Sequence, residues 1–168
     1  MVRFEQVKET FWSDSTVGVR LPLTDEMVVD AEGILGVRLP SALLELLLVQ
    51  NGGCVADAWS SFPTTQPTSW SDSHVPFDTL VGIGTAEGTL SLLDTPYLVQ
   101  EWGLPSPLVL LTGDGHWWIA LDYRGCGPDG EPSVTWFDTE LDQEQHLAAD
   151  FRTFVEGLTR EPGEGAAQ

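Results

Sequence analysis

The feature that most constrains this chain is the stretch from Leu108 to Asp138, LVLLTGDGHWWIALDYRGCGPDGEPSVTWFD. It reads as three consecutive antiparallel strands. Leu108 to Thr112 is a short apolar run. Gly113-Asp114-Gly115 breaks it with residues that tolerate positive φ, as a tight hairpin requires. His116 to Tyr123 is the second strand, and its side chains alternate between two faces. Trp117, Ile119, Leu121 and Tyr123 make an apolar face. His116, Trp118, Ala120, Asp122 and Arg124 make a mixed one. After the loop Gly125 to Gly130, a third strand runs from Ser133 to Asp138. The apolar face places the hairpin in the core, and the mixed face is where chemistry would lie.

Helical patterns surround these strands. Met1 to Trp12 repeats Phe4, Val7, Phe11 and Trp12 at helical spacing. Thr24 is an N-cap with Asp25 and Glu26 in the first turn, Met27, Val28, Ala31, Ile34 and Leu35 form the stripe, and Gly36 is the stop. Pro40 opens a second helix with Leu43, Leu44, Leu47 and Leu48 toward the core, and Asn51-Gly52-Gly53 ends it. Cys54 to Pro76 is rich in Ser, Thr and Pro yet carries Trp59, Phe62 and Trp70. It reads as a long loop or irregular hairpin whose aromatics plug the core's edge, with a contact surface as the alternative. Phe77 to Ile83 is a candidate strand. Leu90 to Trp102 is a helix with a break near Pro96, carrying Leu92, Leu93, Leu98 and Trp102. Asp138 to Gln145 is an acidic turn, and Leu147 to Leu158 a closing helix with Leu147, Phe151, Phe154, Val155 and Leu158 as its stripe. Helices flanking a run of consecutive strands predict one α+β domain with a mainly antiparallel sheet over residues 1–160, and a polar tail over 161–168.

The chain's 168 residues suffice for one domain burying roughly 70% of its unfolded surface. No apolar run approaches the length of a membrane span, and the N-terminus lacks an apolar signal region, which predicts a cytoplasmic protein. Cys54 and Cys126 are too few for a disulfide framework and read as ordinary thiols. Charge is the strongest compositional signal. Seven basic and 26 acidic residues give a net −19. Lys and Arg are absent from 39 to 123, a stretch holding nine Asp or Glu. Such a chain does not bind nucleic acid through phosphates. It either attracts a basic partner or uses its charge for solubility alone.

Catalytic signals are absent. There is no Gly-x-Ser-x-Gly, and Gly82, Gly84 and Gly88 have no following Lys to make a phosphate loop. His74, His116 and His146 include no pair at metal-ligand spacing. Asp114 and His116 share a strand face only if the strand begins early; otherwise Asp114 shapes the turn and His116 ends a strand at the surface. Asp122 and Arg124 share a face as an acid and its electrostatic partner. The structural reading is favoured, with the carboxylate accepting N–H bonds from the loop Gly125 to Gly130. These residues predict neither an enzyme nor a bound cofactor or metal.

The segments LTDEMVVDAEGILGVRLPSALLELLLVQNGG, YLVQEWGLPSPLVLLTGDGHWWIALDYR, EPSVTWFDTE and FRTFVEGL together resemble the SUKH superfamily, from about Leu23 to Leu158. Leu39-Pro40, Asn51-Gly52-Gly53, Gly113-Asp114-Gly115-His116 and Leu121-Asp122-Tyr123-Arg124 carry the resemblance most specifically. That superfamily holds yeast cell-wall regulators and many bacterial proteins encoded beside polymorphic toxins. The resemblance implies a non-catalytic binding module, an immunity protein that blocks a cognate toxin, often a nuclease. The alternative is an intracellular regulatory scaffold of the yeast type. It supplies no catalytic set, and no motif marks the interface. With the acidic balance, it points to a basic protein partner, with Asp57, Asp72, Asp78, Glu87 and Asp94 as candidate contacts and Trp59 and Trp70 as candidate anchors.

Overall fold

The computed structural model describes residues 3–84 and 90–162; Glu87, Met1 and the tail from 163 onward lie outside them. Three helices open the chain: α1 (Phe4–Thr10), α2 (Asp25–Leu35) and α3 (Ser41–Val49). Thr24 caps α2 by accepting the Met27 N–H at 3.2 Å, and Gly36 ends it at φ 71°, where only glycine is unstrained. Ala42, Leu43, Leu46 and Leu47 of α3 are buried. Leu48, expected in the core, is 61% exposed, and Ile34 of α2 also faces outward. Leu48 lies five residues, about 140°, round the helix from Leu43, whereas Leu46 shares the buried side.

Cys54 to Pro76 is an irregular hairpin. Two short antiparallel pairs form there: β1 (Gly53–Cys54) with β4 (Thr79–Leu80), and β2 (Ser61–Pro63) with β3 (His74–Pro76). The strand expected over Phe77 to Ile83 is therefore regular only at Thr79–Leu80, with an isolated bridge from Gly82 to Ser91 beyond it. Leu90 to Trp102 divides into a 3₁₀ turn, Leu92–Asp94, and α4 (Thr95–Glu101). Pro96 starts α4 instead of breaking a longer helix, because a first-turn proline lacks only an N–H that has no helical acceptor.

The main sheet has four antiparallel strands in the order β5 (Leu108–Gly113), β6 (Trp117–Asp122), β7 (Ser133–Asp138) and β8 (Gln143–Ala148). β8 takes the last three residues of the expected acidic turn, Gln143 to Gln145, and the first two of the expected closing helix, so α5 (Phe151–Glu156) is shorter than its predicted span. One sheet face, with Trp117, Ile119, Leu121, Tyr123 and Trp136, packs on the first three helices and α5. The mixed face does not stand open. Trp118 and Ala120 join Leu108, Leu110 and Phe137 in a second small core under Leu98 and Val99 of α4. This is a single α+β domain with a mainly antiparallel sheet flanked by helices.

The signature residues are knots in this framework. Asn51 is 1% exposed. Its side-chain amide donates to the Leu21 and Ile83 carbonyls, both at 2.8 Å, and its oxygen accepts the Ile83 N–H at 2.9 Å. A Cβ on Gly82 would stand 2.4 Å from the Asn51 carbonyl oxygen, so the two segments meet only through glycine. The Tyr123 hydroxyl donates to the Arg38 carbonyl at 2.7 Å, and Glu32 accepts the Leu39 N–H at 2.7 Å. These bonds fix the α2–α3 connection on the end of β6.

Candidate functional site

The hairpin divides the candidate contact residues between its base and its tip. Asp57 and Trp59 lie on a 3₁₀ turn at the base. Asp78, exposed, is beside them, since its carbonyl accepts the Val55 N–H at 2.9 Å. Trp59 is half-buried against the core, and its indole donates to Thr10 Oγ1 at 3.0 Å, so much of it serves the fold. Trp70 and Asp72 lie in the loop at the tip. Asp94 is separate from both groups, and its carboxylate accepts the Ser91 N–H at 2.8 Å.

The tip is held by Asp138, which the sequence presented only as the end of a strand. Asp138 is 3% exposed. Its two oxygens accept the Ser69 N–H at 2.9 Å and the Leu141 N–H at 3.0 Å. Burial pushes its carboxyl up, but those hydrogen bonds outweigh burial and hold it below the usual carboxylate range. One carboxylate therefore joins the hairpin tip to the β7–β8 turn. The β5–β6 turn joins them, because Thr139 Oγ1 donates toward the Gly115 carbonyl at 2.7 Å and its N–H donates to the His116 carbonyl at 3.0 Å. Asp114 accepts the His116 N–H at 2.9 Å, and exposed His116 lies 3.1 Å from Glu140.

Three loops thus meet at one end of the sheet. They present Asp72, Asp114, Glu140 and Asp142 with two exposed apolar side chains, Trp70 at 46% and Leu141 at 50%. Trp70 leans edge-on against Trp117, with ring centroids 6.2 Å apart, and Trp117 stacks on buried Trp136 at 4.9 Å. The exposed indole is therefore backed by a rigid aromatic column. Glu140, Leu141 and Asp142 were legible as an acidic run around one leucine, but their proximity to Trp70 depends on Asp138.

Asp122 and Arg124 form a different kind of cluster. The Arg124 guanidinium donates to Asp122 at 2.8 and 3.0 Å and to Glu144 at 3.0 Å, and lies 5.5 Å from the Phe137 ring centroid. Partial burial pushes the Asp122 carboxyl up, but the bonds from Arg124 prevail and lower it. The N–H bonds expected from the loop Gly125 to Gly130 do not form; the backbone N–H that Asp122 accepts is that of Arg124, at 3.0 Å. The remaining capacity goes to the guanidinium and to Thr135. Among the described residues, no group of three or more His, Cys, Asp or Glu is arranged to hold a metal ion, and no helix is long and apolar enough to cross a membrane.

The family described as SMI1 / KNR4 (SUKH-1) matches residues 22–157. The chain belongs to this family. Its modules are generally non-catalytic, of immunity or regulatory type, and commonly bind toxin partners. No curated protein matches the chain. The family match covers Asn51 with its partner Ile83, the Tyr123 anchor and all three loops of the acidic end.

Proposed function

We propose that this protein is an immunity protein that neutralises a basic toxin domain, of the nuclease type, by direct binding in the cytoplasm. The carrying observation is the acidic end of the sheet, where Asp138 clamps exposed Trp70 and Leu141 among Asp72, Glu140 and Asp142. A nuclease needs a basic groove for phosphates. An acidic surface can fill such a groove and exclude the nucleic acid without any chemistry. Opposite charge raises the association rate by about 10- to 1000-fold and is screened by salt. Trp70, a rigid aromatic on a fixed column, is suited to anchor the complex and slow its dissociation.

The test is capture of the partner at low salt with the full chain, its identification, and binding kinetics. Replacing Asp72, Glu140 and Asp142 by their amides is expected to slow association and flatten its salt dependence, while Trp70→Ala speeds dissociation. The base group, Asp57 and Asp78, serves as a comparison. Kinetics indifferent to both sets of changes would leave the charge to solubility. A partner with regulatory rather than toxic activity would favour the scaffold reading.

A further inference from the structure

We propose that the basic partner docks by adding an extended strand to the free edge of β8, an inference that rests on the reading of a basic partner. β8 is the last strand of the sheet, with β7 on its one paired side. In an antiparallel strand, alternate residues direct their N–H and C=O away from the neighbour. Among the described residues, no backbone-to-backbone bond reaches that outer side of Gln143 to Ala148, and the hairpin tip bonds to β8 through a side chain, Gln145, whose amide donates to the Gln66 carbonyl at 3.2 Å. The opposite edge of the sheet is partly covered, since the Leu111 carbonyl of β5 accepts the Val81 N–H at 3.0 Å.

Exposed edges are commonly protected by Lys, Pro or a bulge. β8 contains neither Lys nor Pro. Its register shift lies opposite Val134 and Thr135, and pairing from Gln143 to Gln145 is regular. Its one carboxylate, Glu144, is turned across the sheet to Arg124. Beside the strand runs a groove lined by Trp102, Leu104, Phe137, Asp142 and Glu144. Aromatic rings with carboxylates at the rim suit a Lys or Arg side chain. The same sheet face already holds one guanidinium in this manner, that of Arg124 over Phe137.

The charge selects the occupant. No Lys or Arg occurs from 125 to 151, and the β7–β8 turn carries Glu140 and Asp142. Two copies of a chain of net charge −19 would repel across this edge, whereas a basic strand is drawn to it. Backbone pairing gives the strand its hold, and the groove selects its basic side chains.

The experiment titrates the ¹⁵N-labelled full chain at low salt with a short peptide alternating Lys with Val and Thr. A second peptide of the same sequence and charge has its central amides N-methylated, so it cannot pair as a strand. The unmodified peptide is expected to shift the Gln143 to Ala148 amides and slow their exchange. The methylated one should bind weaker by about tenfold or more, the loss of one or two backbone hydrogen bonds. Equal binding of both peptides would overturn strand addition while leaving acid-to-base attraction standing. Shifts centred away from β8 would also overturn it. Binding by neither peptide would overturn it too, and the basic-partner reading would then be judged on the capture experiment.

Discussion

Asp138→Asn separates the clamp from everything around it. The substitution keeps the shape of the side chain and removes its charge. Asp138 now gives one oxygen to the Ser69 N–H and the other to the Leu141 N–H. Asparagine can offer only one oxygen, and its NH₂ group must face the second N–H. Hydrogen bonds to a charged group contribute about 1.5–3 kcal/mol each. One such bond is lost and the other weakened, but both N–H groups lie near the surface and recover some hydration. A net loss of about 2–3 kcal/mol follows, or roughly 4–12 °C in Tm for a chain of this size. The pH dependence has a definite sign. Because the folded carboxyl lies below its unfolded value, its contribution is present above the unfolded pKa of about 3.9 and is lost as pH falls through the folded value. The variant should therefore show a shallower loss of stability with acid. Hydrogen exchange at Ser69 and Leu141 is the direct assay, and both amides should exchange faster in the variant. Unchanged exchange at both positions with a Tm within about 1 °C of the parent would refute the clamp.

Three further outcomes are expected. Asn51→Ala removes three hydrogen bonds at a buried site and should cost about 3–4 kcal/mol, measured by denaturant unfolding; a loss under about 1 kcal/mol would show that water replaces the amide. Asp122→Ala should cost about 1–2 kcal/mol, because Arg124 keeps Glu144 as a partner, and this difference should shrink as pH falls below the ordinary carboxylate range and through the lowered value of the folded Asp122 carboxyl. Trp59→Ala should lower Tm more than Trp70→Ala, since Trp59 packs on the core and donates to Thr10 while Trp70 is nearly half exposed; the reverse order in a thermal melt would contradict these assignments.

Local signals account for much of the framework. Thr24 and Gly36 bound α2 because a capping hydroxyl and a left-handed glycine act within one turn of chain. The alternation from Trp117 to Tyr123 identified the core-facing side of β6, since strand periodicity is a property of the backbone alone. The family resemblance was readable for the same reason: Asn51-Gly52-Gly53 and Leu39-Pro40 are short, contiguous motifs. What each motif does was not readable, because the partners of Asn51 are at Leu21 and Ile83.

Tertiary structure decided the rest. β8, QEQHLA, has no apolar alternation, and it is a strand because it completes the ladder on β7. The mixed face of β6 became a second core because α4 lies across it, a pairing between distant segments that periodicity does not encode. The acidic balance was plain from the sequence, but charge counts carry no positions. Only the folded chain gathers Asp72, Glu140 and Asp142 around Trp70. It does so because one buried carboxylate must satisfy two backbone N–H groups from segments about seventy residues apart.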